Sequence, residues 1–350
     1  MAPTVTREPT HSPLRFDSPA ATGAALIAGG LAVLLVLVLV AMASGRYAVT
    51  PSEFVASLRR MLGGGTSPQT ADAVLWQIRL PRIALACLVG GALGASGAAF
   101  QHLFRNPLVA PDTLGVSSGA ALGAVLAIVA GAGVAVAALA AFGGGLLAVA
   151  LVMALAARIG AHDRTLTLVL IGVVIASLGG AAISLLKFLA DPYNQLPAIT
   201  FWLMGSLAAA TWQQVAIVAP AIVAAVALLT ALAWRINLLA LPEDEARALG
   251  AHVPRLRAVV VAAATVATAA SVAVSGVVGW VGLVVPHIAR LAGGPEFSRL
   301  LPLATILGAI FLLVIDTLAR AATAVEIPPG ILTAFIGTPL FLALLARRSA

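Results

Sequence analysis

The chain has 350 residues, of which 61% are hydrophobic and only 9% charged, with a mean hydropathy of +1.08. Soluble domains carry roughly 25% charged residues, so a water-soluble fold is excluded and the chain reads as an integral membrane protein. The net charge of +7 is almost wholly arginine spread over short polar breaks, a pattern of membrane topology and not of a nucleic-acid surface.

Residues 1–23, with Pro3, Pro9, Pro13 and Pro19, predict a short disordered cytoplasmic tail, followed by a transmembrane domain over 24–350. Ala24 to Ala43 is an uncharged run longer than the roughly 7–15 residues of a signal h-region. It predicts a retained first helix, although Ala41-Met42-Ala43 has the small residues of a cleavage site. Long apolar runs then recur to the end, which implies an all-α polytopic fold and not a barrel of short alternating strands. The predicted spans are 24–44, 81–103, 114–133, 135–157, 165–190, 213–234, 256–275, 278–292, 301–320 and 330–346. The span 278–292 is short for a perpendicular crossing. Gly90, Gly91, Gly94 and Gly97 recur at helical spacings and predict a closely packed face. Cys87, the only cysteine, lies in an apolar segment and reads as a small core residue; no disulfide or cysteine metal cluster can form within the chain. The loop 191–211, with Pro192, Tyr193 and Trp202, and Trp212 just beyond it, predicts a short interfacial helix.

The polar stretch from Arg235 to Arg257 interrupts this apolar background. Pro242 suits a first helical position, Glu243, Asp244 and Glu245 face the positive end of the helix dipole, Gly250 caps the end, and Pro254 starts the next helix. Two readings are open: a docking knob for a soluble partner, or a loop that obeys charge topology. Asp316 is the one acid deep in an apolar run. It stands four residues before Arg320, on the same helical face, and reads as a satisfied pair near the outer end. A proton relay would need further partners. The histidines His11, His102, His162, His252 and His287 are scattered, and no metal site is expected. With a cytoplasmic N-terminus and ten crossings, thirteen basic residues collect inside and seven outside, the expected direction. Both termini and the polar knob then face the cytoplasm. There is no Gly-x-x-x-x-Gly-Lys-Ser/Thr phosphate loop and no His-Glu-x-x-His, so neither ATP binding nor metalloprotease chemistry is expected of this chain.

Several segments carry a resemblance. Trp76-Gln77-Ile78-Arg79-Leu80-Pro81-Arg82, Arg105-Asn106-Pro107-Leu108 and Leu114-Gly115-Val116-Ser117-Ser118-Gly119-Ala120 resemble the FecCD-type permeases, the membrane subunits of ATP-driven importers for ferric siderophores, haem and cobalamin. So do Leu239-Ala240-Leu241 with Ala246-Arg247-Ala248-Leu249-Gly250, the run Gly279-Trp280-Val281-Gly282-Leu283 through Pro286-His287-Ile288-Ala289-Arg290, Asp316-Thr317-Leu318-Ala319-Arg320, and Ile327-Pro328-Pro329-Gly330. The likeness covers nearly the whole chain after about residue 74.

The resemblance implies a type II ABC importer permease fold with about ten helices, working as a dimer, most simply a homodimer, in the bacterial inner membrane. It implies two cytoplasmic ATPase subunits that hold the ATP and magnesium, no cofactor in this chain, and a periplasmic or lipid-anchored binding protein. The coupling loop 238–254, with Glu243, Asp244, Glu245, Arg247, Leu249 and Gly250, would dock on the ATPase. Arg79, Arg82 and Arg320 would meet glutamates of the binding protein. Among cargoes, ferric siderophore comes first, haem and cobalamin next, and an oxyanion such as molybdate stays open. Trp280 either narrows the path or packs. The rival class, an ion-coupled secondary transporter, would need more buried ionisable groups than this sequence shows.

Overall fold

The computed structural model describes residues 19–45, 47, 49–63, 70–159, 164–323 and 325–346. Every regular element among them is helical: α1 (Pro19–Ala43), α2 (Pro51–Gly63), α3 (Thr70–Asp72), a wide π-helical stretch (Ala73–Arg79), α4 (Leu80–Leu103), α5 (Val116–Val129), α6 (Val134–Ile159), α7 (Arg164–Leu189), α8 (Gln195–Met204), α9 (Trp212–Ala231), α10 (Ala233–Asn237), α11 (Glu243–Ala248), α12 (Val253–Ser275), α13 (Val281–Gly293), α14 (Phe297–Ala321) and α15 (Pro329–Ala346), with short 3-10 turns at Pro111–Leu114 and Leu238–Ala240. Most of the tail expected at 1–23 lies outside the described residues. Its end does not: the first helix already begins at Pro19, a residue type suited to a first helical turn.

Each predicted span corresponds to a helix. Seven are long and apolar enough to cross a membrane, while Val116–Val129, Val281–Gly293 and Pro329–Leu344 are shorter. The 13 residues of α13 reach only about 20 Å at 1.5 Å per residue, against a hydrocarbon core of about 30 Å. Burial sorts the helices into layers. The central windows of α4, α12 and α14 are 83%, 72% and 61% buried, while those of α1, α7 and α9 are 11–22% buried. The first three form the core and the others wrap it with side chains that suit lipid.

Backbone contact holds the core together. A Cβ on Gly90 would stand 2.2 Å from the Gly308 carbonyl oxygen, one on Gly94 would stand 2.3 Å from that of Ala304, and one on Gly97 would stand 1.9 Å from that of Gly282. The glycine face of α4 therefore lies directly on α14 and α13, as the spacing predicted. Lipid tails are as apolar as leucine, so close packing of this kind supplies much of the attraction between membrane helices.

Two features were not foreseen. The amphipathic α2 opens with a reciprocal cap: the Thr50 N–H donates to Glu53 Oε2 at 2.8 Å and the Glu53 N–H to Thr50 Oγ1 at 3.2 Å. These Thr50 contacts hold the Glu53 carboxyl below its usual range. Arg60 Nη2 reaches Asp72 Oδ1 at 2.9 Å, and Trp76 Nε1 donates to Ser57 Oγ at 2.9 Å, so α2 is tied to the start of the long helical rod 70–103. The second feature is the π-helical stretch. Pro81 has no N–H, and in an α-helix its ring would press on the Gln77 carbonyl. The helix widens ahead of it, with the Leu80 N–H bonding Leu75 O. Pro81 cannot serve Trp76 O in the i→i+5 pattern, and the indole Nε1 of Trp212 donates to that oxygen instead, at 2.8 Å.

The helix expected within 191–211 is α8, but it is not a simple surface anchor. The Ser206 N–H just past it donates to Ser275 O at 2.8 Å, and a Cβ on Gly276 or Gly330 would stand 2.4 Å from the carbonyls of Trp202 or Met204 respectively. Its C-terminal end is wedged between the α12–α13 turn and the start of α15. Tyr193, just before it, is exposed.

Candidate functional site: a polar knob, a buried arginine cluster and a central cavity

At one end of the bundle the stretch 235–257 folds as the sequence suggests. Pro242 sits at the N-cap, one position before that expected, with Glu243, Asp244 and Glu245 in the first turn of α11. Gly250 takes φ +83°, a left-handed cap; its N–H donates to Arg247 O at 2.9 Å and that of Ala251 to Ala246 O at 3.0 Å. Glu243, Asp244, Glu245, Arg247, Leu249 and Gly250 are all exposed. Leu249, a large apolar side chain, is 63% exposed, and Arg247 is paired with Glu243 one turn back at 2.5 Å. The underside is apolar and buried, through Ile236, Leu239, Ala246 and Val253.

Sequence reasoning missed what anchors this knob. Arg105, which follows α4, donates through Nε and Nη2 to Leu239 O at 3.0 and 2.9 Å, and Nη2 also reaches Leu241 O. His102 Nε2 lies 3.1 Å from Ile236 O. Asn237 Oδ1 accepts from the Phe297 N–H at 2.7 Å, and its Nδ2 donates to Ser298 Oγ at 3.0 Å, so it caps the first turn of α14. A polar Asn at the end of α10 was a usable capping signal. The reach of Arg105 across more than a hundred positions was not.

At the other end of α4 and α14 the structure brings Arg79, Arg82, Arg320 and Asp316 together. The three arginines are 4%, 8% and 9% exposed and Asp316 is 0%, so they are not the free rim charges that a docking role suggests. Arg79 Nη1 donates to Met42 O at 2.5 Å and Ala43 O at 3.2 Å, and its Nη2 to Tyr47 O. Arg320 donates to Ala41 O at 2.5 Å and Ser44 O at 2.8 Å. Two arginines thus cap the carbonyls at the C-terminus of α1, where the helix dipole also favours cations. Arg82 grips Asp316 with a fork, Nε at 3.0 Å and Nη2 at 2.8 Å from Oδ1, and its Nη2 also meets Glu326. Arg320, the partner expected for Asp316 from helical spacing, is only a distant second at 3.8 Å. The difference is geometric: a same-face i,i+4 neighbour has to fold back along its own helix, whereas Arg82 approaches across the α4–α14 seam.

Between these ends lies a cavity of about 260 Å³ lined by Leu93, Leu108, Ala110, Pro111, Asp112, Thr268, Val278, Gly279, Trp280, Gly282 and Leu283. Leu93 and Thr268 stand well inside α4 and α12, so the cavity is within the bundle. Asp112 is its one charged wall residue, and Ser117 Oγ donates to that carboxylate. Trp280 both packs and lines the cavity. Its Cβ lies 2.7 Å from where a Cβ on Gly337 would stand, and its ring meets the Phe341 ring edge-on at 6.3 Å. It does so from φ +70°, an unusual value for a bulky residue.

A bundle with seven helices long and apolar enough to cross a membrane, and an exposed polar knob braced at one end, defines a polytopic membrane protein. Comparison with known proteins places it more narrowly. Residues 33–347 match the FecCD transport family, and the chain belongs to that family of ABC importer permeases. It is 38% identical over 315 residues to the molybdate import system permease protein of Haemophilus influenzae, covering 89% of this chain and 93% of that one. It is 44% identical over 282 residues to the cobalamin import system permease protein of Halobacterium salinarum, covering 80% and 75%. A solved chain described as a metal-chelate type ABC transporter in an inward-facing conformation superposes with a TM-score of 0.83 at 36% identity, covering 93% of this chain and 99% of that chain.

Proposed function

We propose that this permease imports a metal chelate, with ferric siderophore as the first candidate and haem or cobalamin next. The family match carries this reading: relatives are named for cobalamin, iron chelatin and hemin transport, and among the described residues no group of three or more His, Cys, Asp or Glu could hold a metal ion. A bare metal ion would need several oxygen or nitrogen ligands. A chelate whose organic shell shields the metal needs no such ligands from the protein.

The chain is proposed to work as a homodimer in a bacterial inner membrane, with both termini and the knob cytoplasmic. Arg105, Arg247, Arg255, Arg257 and Arg299 sit towards the knob end, which agrees with the positive-inside rule. The exposed residues Glu243, Asp244, Glu245, Arg247, Leu249 and Gly250 would contact two ATPase subunits, which hold ATP and magnesium and drive the exchange of inward and outward packings. A binding protein would dock at the opposite end. Its carboxylates would have to compete with Asp316, Glu326 and the α1 carbonyls for Arg79, Arg82 and Arg320.

A second reading, oxyanion import, is favoured by the relative from Haemophilus influenzae that is named for molybdate. The test is uptake into proteoliposomes holding the permease, its ATPase subunits and its binding protein. Ferric siderophore, haem, cobalamin and molybdate are offered separately, with and without ATP. ATP-dependent uptake of a chelate and not of molybdate is expected. Uptake of molybdate alone overturns the cargo, and uptake driven by an ion gradient without ATP overturns the importer reading itself.

A further inference from the structure

We propose that Arg105 is a positioning residue for energy coupling: it clamps the polar knob to the end of α4, so that movement of the knob becomes movement of the α4–α14 pair. The inference rests on the importer reading above and concerns a residue outside the exposed face of the knob.

Three observations support it. First, Arg105 has a left-handed backbone, φ +49°, although it is not glycine. That conformation costs energy and persists only where the surroundings hold it. Here the guanidinium supplies the hold, since its fork bonds Leu239 O twice and Leu241 O once. Leu239 lies within the 3-10 turn Leu238–Ala240, and Leu241 caps its end on the way into α11. Arginine fits this task because its planar fork can span two acceptors, whereas a lysine ammonium offers a single point.

Second, the knob has a matching clamp on its other side. Asn237, at the end of α10, bonds the N–H of Phe297 and the hydroxyl of Ser298 at the start of α14. The knob is therefore held at its root to the ends of two core helices. Third, those two helices are closely packed on each other. Gly90 against Gly308 and Gly94 against Ala304 put backbone on backbone, and at the far end the Arg82–Asp316 fork joins the same pair. Displacement applied at Leu239 is thus delivered to the arginine cluster about a membrane's thickness away, through a continuous packed element.

A purely structural role for Arg105 predicts loss of folding or assembly. The clamp predicts loss of coupling in an assembled complex. The experiment measures ATP hydrolysis and cargo uptake in the same proteoliposomes for Arg105→Lys and Arg105→Ala. Both variants are expected to retain bound ATPase subunits and to hydrolyse ATP, while uptake per ATP falls at least about five-fold, with lysine giving no rescue. In a Cys87→Ser background, Arg105→Cys with Leu241→Cys joined by a short bismaleimide should recover uptake per ATP, because the bridge replaces the clamp. Wild-type uptake per ATP in the assembled variants would overturn the proposal. So would full rescue by lysine, failure of the bridge to restore coupling, or loss of the ATPase subunits, which would mean that Arg105 shapes the docking face instead. Absence of ATP-driven uptake in the unsubstituted complex strikes the proposed partners and not the clamp.

Discussion

Asp316 and Glu326 both touch Arg82, yet they should differ in consequence. The Asp316 side chain is fully buried and the Glu326 side chain is 29% exposed. Removing one partner of a buried pair leaves the other charge uncompensated, at a cost of about 3–5 kcal/mol, whereas loss of the partly exposed Glu326 leaves Arg82 still paired with Asp316 and should cost less. Asp316→Asn should therefore lower the unfolding midpoint of the purified permease markedly, and Glu326→Gln only slightly. Equal shifts in a thermal unfolding series would mean that the fork to Asp316 is not what holds this cluster. The same geometry complicates charge reversal as a probe of docking. Arg82→Glu would set a third acid beside Asp316 and Glu326, so lost transport in that variant would report on folding as much as on partner contact. Sequence spacing paired Asp316 with Arg320, since i,i+4 logic sees one helix at a time. The partner that dominates is 234 positions away, and no local pattern marks it.

Between elements, glycine decides how near two helices come. The glycine spacing of α4 was visible in the sequence, but the opposing surfaces were not: Gly308 and Ala304 on α14, and Gly282 near the start of α13. Gly90→Ala places a methyl 2.2 Å from a carbonyl oxygen, and relief requires the helices to separate. Overpacking of this kind costs about 1–3 kcal/mol and sometimes more. Gly143 on α6 has nothing within 4 Å of where a methyl would stand, so Gly143→Ala should leave stability unchanged or raise it by up to about 1 kcal/mol through helix propensity. Unfolding of the two variants in the same detergent compares them directly; equal loss would contradict the packing argument. The knob was the most legible element of all, because Pro242, the three acids, Gly250 and Pro254 are local capping chemistry. The helix α2 was missed because its mixed surface carries no long apolar run, and the wide stretch before Pro81 because a π-helix has no clear periodic signature.

Across the whole molecule, the ten helical segments were readable because apolar runs between charges mark helices that a bilayer accepts, and seven of them are long and apolar enough to cross it. Their order of burial was not, since α4 and α7 are both apolar and yet one is core and the other periphery. Family likeness supplied what periodicity could not, namely membership of the ABC importer permeases. The cavity emerged only from the fold, because Asp112 and Trp280 are far apart in sequence and both line it, just ahead of α5 and α13. That arrangement links the two ends of the molecule: a knob braced at the root of α4 and α14, and a buried cluster joining their opposite tips.

The wide turn ahead of Pro81 also sets an angle. One extra residue in a helical path turns everything before it by about 100° relative to an unbroken α-helix. Asp72 and Trp76 meet Arg60 and Ser57 of α2 with that rotation in place. Deleting one residue within Ala73–Ile78 should close the wide turn and swing Asp72 away from Arg60, leaving Arg79 and Arg82 in their present orientation. The readout is cross-linking between cysteines at 57 and 72 in the Cys87→Ser background, which the deletion should abolish. Retained cross-linking would show that α2 follows the rod whatever its phase.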